Sequence, residues 1–433
     1  MKRVGVGIVG FGNVGGATAG IISQNADLIE QRTGIRLEVA VVCRRTTVQP
    51  QDVPKGARYM SNWEEVVRCP EVEVLVETMG GMDESLRLVR SGLEQGKPVV
   101  TANKNLLAEH GDELFALATA RNLPIGFEAS VAAGIPVLRV IHESTTGDRL
   151  RAVYGIVNGT VNYILTQMEN RGIDFEQALE EAQRAGYAEP DPSFDIDGID
   201  ARDKLCLLAR MAFGGRLNTS RIPTSGVRQV RAVDLDFAKR LNSTIRLVVS
   251  AEETEAGLEL SVRPWIVGRC SMLAKVEGPN NAVFLVGKNI GTQMYYGRGA
   301  GGDTTGVAVV SDLIEIARDL TEGRLRAKVI PGFKDSHELK LCQNPRPVRW
   351  YLRLTTKKQS GILGEVTEIF ARHEIEVGPL TEVSAGRNGS CSSAAVTVGP
   401  VHEARIRRVV DEINALPFMA EPVLLLRMSN DCC

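Results

Sequence analysis

The sequence predicts a chain of the α/β class, and three patterns along it support this prediction. Over residues 1–135, short β-branched runs alternate with helical stretches, which is typical of βαβ units and a mostly parallel sheet. From Leu150 the pattern changes to a strand, polar-faced helices and further strand-like runs, which indicates an α+β domain with a mainly antiparallel sheet. Residues 348–433 follow the order strand, helix, strand, strand, helix, strand, which predicts a ferredoxin-like module.

The first region begins with a strand that stops at a glycine and leads into a helix. Its predicted strands are Arg3–Gly10, Ile35–Cys43, Glu71–Thr78, Pro98–Thr101 and Pro124–Phe127. Its clearest predicted helices are Asn13–Gln31, Met82–Gln95 and Lys104–Arg121. We interpret this alternation as a first domain over residues 1–135.

Two later regions complete the predicted domain organisation. Strand-like runs at 150–158, Ile245–Ser250 and Ala282–Val286 belong to a second domain, over residues 136–325. The stretch Gly323–Pro347 mixes proline, lysine and aspartate without clear periodicity, so we interpret it as a linker. The third domain, over residues 348–433, has predicted elements at Arg349–Thr355, Ile362–His373, Ile375–Val383, Ser393–Val398, His402–Leu416 and Pro422–Arg427.

Size and composition exclude several classes of protein. At about 100 to 200 residues per domain, 433 residues are too many for a mini-protein held by disulfides. The 51 Lys and Arg residues nearly cancel the 53 Asp and Glu residues, so nucleic acid is not an expected partner. The eight cysteines include no C-x-x-C pair and no histidine at zinc-finger spacing, which gives no support for a zinc site and favours a cytoplasmic location.

The charge-free run over residues 4–26 resembles a signal peptide at first sight. It contains seven glycines and Asn13, which would weaken the apolar helix that export or a membrane span requires. We therefore expect neither export nor insertion into a membrane.

A G-x-G-x-x-G turn joins the first predicted strand to the first predicted helix. It consists of Gly10, Phe11, Gly12, Asn13, Val14 and Gly15. The first glycine permits the tight turn, the second lets a pyrophosphate approach the backbone, and the third lets the helix pack closely on the strand. The context predicts a Rossmann-type dinucleotide-binding domain; a glycine-rich turn without a ligand is the alternative.

The end of the second strand indicates which dinucleotide binds. An NAD site would place Asp or Glu there for the ribose hydroxyls, whereas this sequence has Arg44 and Arg45 after Cys43. Two guanidiniums suit a 2′-phosphate, so NADP(H) is favoured over NAD(H). The alternative is two solvated surface arginines.

Lys104 follows the fourth strand at its carboxyl end, where open α/β sheets place their ligands. This position predicts that Lys104 faces the nicotinamide or the substrate. A surface lysine at the start of a helix is the alternative, although a cation in the first helical turn is mildly unfavourable.

The densest polar cluster of the chain spans residues 189–204. A calcium-binding EF-hand is excluded, because the alignment of its aspartates puts Lys204 where a bidentate glutamate is required. Helical spacing after Gly198 places Asp200 and Lys204 on one helical face. The pair is either an exposed salt bridge or, if partly desolvated, a proton donor whose proton the carboxylate helps to retain.

Six motifs in this order give the chain a specific resemblance. They are GFGNVG (10–15), TANK (101–104), FEASVAAGIP (127–136), NGTVNYIL (158–165), GYAEPDPSFDIDGIDARDK (186–204) and YGRGAGGDTT (296–305). Together they resemble homoserine dehydrogenases over essentially the whole chain. The resemblance implies the reversible reduction of L-aspartate 4-semialdehyde to L-homoserine with NADPH or NADH.

The resemblance also implies roles for particular residues. Lys204 would donate a proton to the aldehyde oxygen, and Lys104 would be a second essential lysine beside the reacting carbon. Glu189 and Asp200 would hold the ammonium and hydroxyl end of the small-molecule substrate. The same cleft would be lined by Asn158, Gly159 and Thr160. A monovalent cation, usually sodium, would bind backbone oxygens of Glu128, Val131, Ala133 and Ile135.

The third domain resembles an ACT domain, an amino-acid-sensing fold for which threonine is the usual effector in this family. Where that fold commonly has Asp-x-Pro-Gly-x-Leu, this sequence has Lys358, Gln359, Ser360, Gly361, Ile362 and Leu363. We therefore expect weak or absent threonine inhibition, and a module kept for assembly of a homodimer or homotetramer. The alternative for the whole chain is a non-catalytic sensor of dinucleotides and amino acids.

Overall fold

The structure of the chain, a computed structural model, describes residues 2–45, 53–333, 337–357, 361–385 and 391–429. The chain divides into two compact units, each built from three segments. The first unit comprises Met1–Val153, Asp203–Arg221 and Val283–Leu339. The second comprises Tyr154–Arg202, Ile222–Ala282 and Lys340–Cys433. The domain boundaries given above stay predictions.

The strands and helices are numbered along the chain. The strands are β1 (Lys2–Val9), β2 (Ile35–Cys43), β3 (Arg58–Met60), β4 (Val74–Glu77), β5 (Val99–Thr101), β6 (Ile125–Gly126), β7 (Leu150–Ile156), β8 (Ser243–Thr254), β9 (Gly257–Gly268), β10 (Asn280–Gly287), β11 (Gly291–Arg298), β12 (Val348–Lys357), β13 (Thr381–Ala385), β14 (Cys391–Val401) and β15 (Leu424–Ser429). The helices are α1 (Asn13–Gln24), α2 (Ala26–Thr33), α3 (Trp63–Arg68), α4 (Asp83–Glu94), α5 (Lys104–Arg121), α6 (Val137–Arg139), α7 (Gly159–Arg171), α8 (Phe175–Arg184), α9 (Ser193–Ile196), α10 (Ile199–Phe213), α11 (Ala232–Arg240), α12 (Gly302–Glu322), α13 (Ile362–Arg372) and α14 (Glu403–Asn414).

The first unit contains a parallel sheet with the strand order β3-β2-β1-β4-β5-β6. This order places β1 at the centre, where Val4, Val6 and Ile8 are fully buried. Their β-branched and apolar side chains suit a strand that is covered on both faces. The predicted α/β class and Rossmann-type topology are confirmed, with the reversal of strand order between β1 and β4.

Helix α12 completes the core of the first unit from late in the sequence. It packs along α1, and a Cβ atom at Gly306 would lie 2.9 Å from the Ile21 side chain and 3.1 Å from the Thr18 nitrogen. Val309, Leu313 and their neighbours on α12 join the same buried cluster as the strands of the sheet. The glycine-bearing face of α12 can therefore approach α1 closely.

The first unit differs from its prediction in two places. The helix predicted over Asn13–Gln31 is two helices, because Asn25 leaves the helical conformation with φ −106° and ψ 13°. Asparagine favours such positions since its side chain competes for backbone hydrogen bonds. Strand β3 and helix α3 were not predicted, because they are too short to show a periodic pattern.

The second unit has an antiparallel pair, β8 and β9, with twelve residues each. Strand β15 continues this sheet by pairing with β9 in parallel. Beyond it, the order β15-β12-β14-β13 is antiparallel throughout. With α13 and α14 these strands form the predicted βαββαβ arrangement, which we call the C-terminal module (348–429); its assignment as an ACT domain stays a prediction.

The stretch interpreted as a linker is irregular in backbone but well anchored. The ring of Phe333 lies 4.4 Å from that of Phe115 and 6.3 Å from that of Phe127, centroid to centroid. Further along, the Cys342 nitrogen donates to the Leu258 carbonyl at 2.9 Å. Packing and hydrogen bonds thus fix the stretch at Phe333 and at Cys342, and its role as a linker between domains stays a prediction.

In the described part of the chain, no helix combines the length and the apolar character needed to cross a membrane. Cys43 and Cys206 are buried free thiols, as their apolar surroundings in the sequence indicate. The cytoplasmic location stays a prediction.

Replacement of Arg246 should destabilise the second unit strongly. Arg246 is fully buried on β8, pairs with Glu169 at 3.0 Å and donates to the Val276 carbonyl at 3.1 Å. Arg246→Met removes one of the two cations that pair with the buried Glu169 side chain among the described residues and leaves Arg269, so we expect a loss of about 3 kcal/mol in the free energy of unfolding. Urea denaturation followed by tryptophan fluorescence measures it. Arg171→Met, which removes an exposed ion pair with Glu181, should cost less than about 1 kcal/mol; equal losses would contradict the expectation.

Candidate active site

The glycine turn is fixed between three strand ends of the parallel sheet. Gly10 has a φ of +102°, and a Cβ atom there would lie 2.3 Å from the backbone carbon of Thr78, so only glycine fits. The nitrogens of Gly10 and Phe11 donate to the Cys43 carbonyl at 3.0 and 3.1 Å. The Thr78 hydroxyl donates to the Gly10 carbonyl at 2.9 Å. The turn is thus tied to the ends of β2 and β4.

The remaining positions of the turn suit a dinucleotide. A Cβ atom at Gly15 would lie 2.3 Å from the Gly10 carbonyl oxygen, so α1 packs against the turn itself. A Cβ atom at Gly12 would meet no atom within 4 Å, so the backbone there borders open space that a side chain would fill. Helix α1 begins at Asn13, and its N-terminal amides face an anion favourably. The side chains of Phe11 and Val14 pack into the core.

Arg44 and Arg45 directly follow β2 and are exposed. The Arg44 carbonyl accepts a hydrogen bond from the Tyr59 hydroxyl at 3.0 Å, which fixes its backbone. The Arg45 guanidinium lies 3.9 Å from Glu84, a long and exposed ion pair. Both side chains stand at the same sheet edge as the glycine turn, where a phosphate group could reach them.

Glu77 is a residue that the sequence analysis did not single out. It ends β4, is fully buried, and accepts hydrogen bonds from the Met79 nitrogen (2.9 Å) and the Ser85 hydroxyl (2.9 Å) through one oxygen. Its other oxygen accepts from the Thr101 hydroxyl at 2.5 Å. The available signal was a glutamate inside an apolar strand run, followed by two glycines.

Lys104 begins α5 beside this network. Asn103 caps the helix, since its side-chain oxygen accepts from the Leu106 nitrogen at 3.1 Å. The Asn103 amide group donates to the Gly81 carbonyl at 2.7 Å, and its backbone nitrogen donates to the Thr101 hydroxyl at 3.0 Å. The half-buried Lys104 therefore starts from a backbone that is fixed at the carboxyl edge of the sheet.

The loop predicted to bind a cation is buried and strained. Between Val131 and Ala133, Ala132 has a φ of +47°, an uncommon conformation for a residue with a Cβ atom. The Ala133 nitrogen donates to the Gly299 carbonyl at 3.0 Å, and Val131 and Ile135 are almost fully buried. Backbone carbonyl oxygens are ligands that suit a hard cation, so the residues present fit the group.

Two buried carboxyl groups hold the start of this loop. The Glu128 nitrogen donates to Asp312 at 2.9 Å, and the Glu128 side chain accepts from the nitrogens of Leu138 (3.0 Å) and Arg139 (2.8 Å). Burial, with the nearby Asp312 carboxylate, raises the pKa of Glu128 to about 7. Burial also raises the pKa of Asp312 to about 6, against the Arg139 guanidinium, which lowers it.

In the second unit, Asn158 joins two carboxylates of the polar cluster. Its amide nitrogen donates to Asp195 at 2.7 Å and to Asp200 at 2.8 Å, while its amide oxygen caps α7 by accepting from the Val161 nitrogen at 2.8 Å. Asn158 and Asp200 are buried. Asp195 was not among the predicted site residues; its spacing five residues before Asp200 gave no helical signal, because Gly198 interrupts the helix with a φ of +81°.

The other predicted residues of the second unit lie around this group. A Cβ atom at Gly159 would lie 2.7 Å from the Pro279 carbonyl oxygen, and the Thr160 hydroxyl donates to the Tyr187 carbonyl at 2.6 Å. Glu189 is exposed, and its carbonyl accepts from the Gln183 amide at 3.0 Å. The structure brings Asn158 and Asp200 together and leaves the Glu189 side chain open to solvent.

Helix α10 carries Asp200 and, one turn later, Lys204. Their exposed fractions are 5% and 8%, so the alternative of an exposed salt bridge is wrong. Within the first unit, α10 is held to α5 because the buried Arg210 pairs with Asp112 and donates to the Gly332 carbonyl at 2.7 Å. The helices that carry the two predicted catalytic lysines are therefore fixed to each other.

Comparison with known proteins places the chain in a family. The family model of the homoserine dehydrogenase NAD binding domain matches residues 10–128, and that of homoserine dehydrogenase matches residues 136–314. A homoserine dehydrogenase of Pseudomonas aeruginosa is 36% identical, over 99% of this chain and 100% of the relative.

Solved structures agree with these matches. The crystal structure of a homoserine dehydrogenase from Thiobacillus denitrificans is 34% identical, with a TM-score of 0.90 over 100% of this chain and 99% of that one. A hyperthermophilic archaeal homoserine dehydrogenase, solved in complex with NADPH, is 30% identical, with a TM-score of 0.62 over 75% of this chain and all of that one. None of these matches favours a non-catalytic sensor. The chain belongs to the homoserine dehydrogenase family, whose members are NAD-binding oxidoreductases of amino-acid biosynthesis.

Proposed function

We propose that this chain reduces L-aspartate 4-semialdehyde reversibly to L-homoserine, a step toward threonine, methionine and isoleucine, with NADPH as the preferred hydride donor. The observation that carries the proposal is the hydrogen-bonded group of Asn158, Asp195 and Asp200. Asn158 and Asp200 are buried, and helix α10, which carries Asp200, also carries the buried Lys204. A small substrate with an ammonium group and an aldehyde needs carboxylates for the first and a proton donor for the second.

Lys204 is the proton donor in this proposal. Hydride addition to an aldehyde develops negative charge on the oxygen, which a positioned ammonium both neutralises and protonates. Lys104 lies beside the reacting carbon and orients the aldehyde. The ion pair between Arg210 and Asp112 supports a shared role of the two lysines in the reaction, because it holds α10, which carries Lys204, against α5, which carries Lys104.

Asp200 and Glu189 hold the amino end of the substrate, and Asn158, Gly159 and Thr160 line its cleft. Asn158 keeps the Asp200 carboxylate in place through a hydrogen bond of 2.8 Å. The second carboxylate on the same amide, Asp195, adds negative charge for the ammonium group. Glu189 is exposed before substrate binds, which leaves its carboxylate available.

The turn over residues 10–15 holds the pyrophosphate of the cofactor, and Arg44 and Arg45 hold the 2′-phosphate that distinguishes NADP(H) from NAD(H). When bound, the cofactor supplies the hydride. On the protein side, the hydrogen bonds among Glu77, Thr101 and the backbone nitrogen of Asn103 fix the strand ends beside the cofactor. The carbonyl oxygens of Glu128, Val131, Ala133 and Ile135 hold a monovalent cation, which we take to be Na⁺.

An assay of NADPH oxidation with L-aspartate 4-semialdehyde tests the reaction. Turnover that depends on the semialdehyde supports the proposal. Tight binding of NADPH without turnover would contradict it and would fit a sensor instead.

Lys204→Ala should lower kcat by about a hundredfold or more, the usual effect of a lost general acid, with nearly unchanged affinity for NADPH. Steady-state kinetics and a fluorescence titration of NADPH measure the two quantities. Lys288→Ala, at an exposed turn of the first unit, is the matched control and should keep wild-type rates. A Lys204→Ala enzyme with a tenth or more of the wild-type kcat would refute the assigned role.

Arg44→Ala should weaken NADPH binding by about ten- to a hundredfold and spare NADH, because only NADPH offers a phosphate for a charge-assisted contact. Dissociation constants of both cofactors measure the effect, with the exposed Arg32→Ala on α2 as the control. Equal losses of affinity for both cofactors, or a wild-type enzyme that prefers NADH, would refute the assignment of Arg44 and Arg45 to the 2′-phosphate.

Threonine should inhibit the full chain weakly or not at all. Lys358 and Ser360, which replace the acidic residue and the proline of the effector loop, lie outside the described residues. An effector inhibits only if it binds one conformational state better than another. Activity titrated with L-threonine into the millimolar range is the measurement, and strong inhibition at micromolar threonine would be the contrary result.

The full chain should also be a homodimer or homotetramer in solution. Light scattering on the full chain measures the mass, because a chain cut before β12 would expose the edge of β9 that β15 now covers. A monomeric mass would rule out the assembly.

A further inference from the structure

We propose that residues 225–234, the connecting segment, position the acidic group of the substrate site by joining it to β12 of the C-terminal module. The segment lies within the second unit and runs into α11. The inference rests on the proposed function, since it assigns Arg228 and Arg353 as positioning residues for the site that holds the amino end of the substrate. Neither residue needs to touch the substrate.

One end of the segment holds α9, the short helix that contains Asp195. The Val227 nitrogen donates to the Ile196 carbonyl at 2.8 Å. At Gly226, a Cβ atom would lie 2.1 Å from the Ile196 carbonyl oxygen, so the two backbones meet without room for a side chain. The segment therefore sets the position of the α9 backbone directly.

Arg228 adds side-chain contacts to the same helix. Its guanidinium forms a two-pronged pair with Asp197, with Nη2 at 2.9 Å from Oδ2, and Nη2 also donates to the Ser193 hydroxyl at 2.9 Å. Ser193 and Asp197 flank Asp195, whose carboxylate accepts from Asn158. Arg228 therefore binds the residues on both sides of Asp195, whose carboxylate accepts from the same Asn158 amide group as that of Asp200.

The other end of the segment is bound to β12. Asp234 is fully buried and accepts from the Tyr351 hydroxyl at 2.6 Å, from the Arg353 guanidinium and from the Arg231 nitrogen at 2.8 Å. Arg353, with an exposed fraction of 3%, also donates to the Gln229 carbonyl at 3.0 Å. Separating buried charges of this kind costs free energy, so a movement of β12 would move the connecting segment with it.

The alternation of β12 shows that these contacts point outward from the module. Trp350, Leu352 and Leu354 belong to the module's own apolar core. Tyr351 and Arg353, on the opposite face of the strand, contact the segment. The strand therefore links the packing of the module to the segment.

The connecting segment has no free residues between its contacts with α9 and its contacts with β12. The carbonyl that Arg353 holds belongs to Gln229, and the side chain that holds α9 belongs to Arg228, the preceding residue. Because consecutive Cα atoms lie a fixed distance of about 3.8 Å apart, a shift at Gln229 reaches Arg228 without being absorbed by intervening chain. The C-terminal module thus helps to set the substrate site whether or not an effector binds.

Steady-state kinetics of full-length variants test this inference. Arg228→Gln should raise the KM for the semialdehyde about three- to tenfold, with an unchanged KM for NADPH. Arg353→Lys keeps a cation beside Asp234 but loses the second guanidinium nitrogen, which reaches the Gln229 carbonyl. This variant should raise the KM for the semialdehyde about two- to fivefold. The double variant should show no larger KM than Arg228→Gln alone, because the second change acts through the first.

Two matched variants control for general destabilisation. Arg427→Lys changes another buried ion pair between the module and β9, that of Arg427 with Glu259 at 3.0 Å, and should leave both KM values unchanged. Arg171→Gln removes a pair with Glu181 in which the arginine is about as exposed as Arg228, and it should also leave both KM values unchanged. If Arg353→Lys does not fold, Tyr351→Phe takes its place at Asp234.

Three results would overturn the inference: a parallel rise of both KM values, an Arg427→Lys effect as large as that of Arg353→Lys, or separate effects that multiply in the double variant. A wild-type chain without activity on the semialdehyde would overturn the proposed function instead, so the two failures are distinguishable.

Discussion

The buried carboxylate of Glu77 is the interaction on which the cofactor side of the first unit depends. It has no access to solvent, so its charge must be balanced by hydrogen bonds from the chain. Those donors come from the turn after β4, from α4 and from β5, which brings the ends of three elements to one point. The glycine turn and the start of α5 both rest on this point, through Thr78 and Thr101.

The second unit contains a cluster of carboxylates that amide and guanidinium donors stabilise. Five of its acidic residues lie within residues 189–200, and carboxylates so close together repel one another unless donors hold them. Asn158 supplies donors on one side, and Arg228 supplies them on the other. Polar contacts therefore help to position both helix α9 and the start of α10.

The sequence allowed much of the fold and part of the site to be predicted. Strand β2 and helix α5 were predicted to the residue, because their patterns are local and their ends carry clear signals such as Cys43 before Arg44 and the cap Asn103. The roles of Glu77 and Asp195 were missed. Each depends on donors distant in sequence, 24 residues away for Glu77 and 37 for Asp195, which no local pattern reveals.

The late position of α12 has a consequence for how the chain is made. Its residues from Ala308 to Ala317 complete the apolar cluster that also contains Val4, Ile22 and Leu37. During synthesis the amino-terminal strands leave the ribosome long before α12 exists, so the part of the apolar cluster that α12 covers stays exposed on the nascent chain. That surface remains open until about three quarters of the polypeptide has been made, and a chaperone that binds apolar surface would protect it from aggregation.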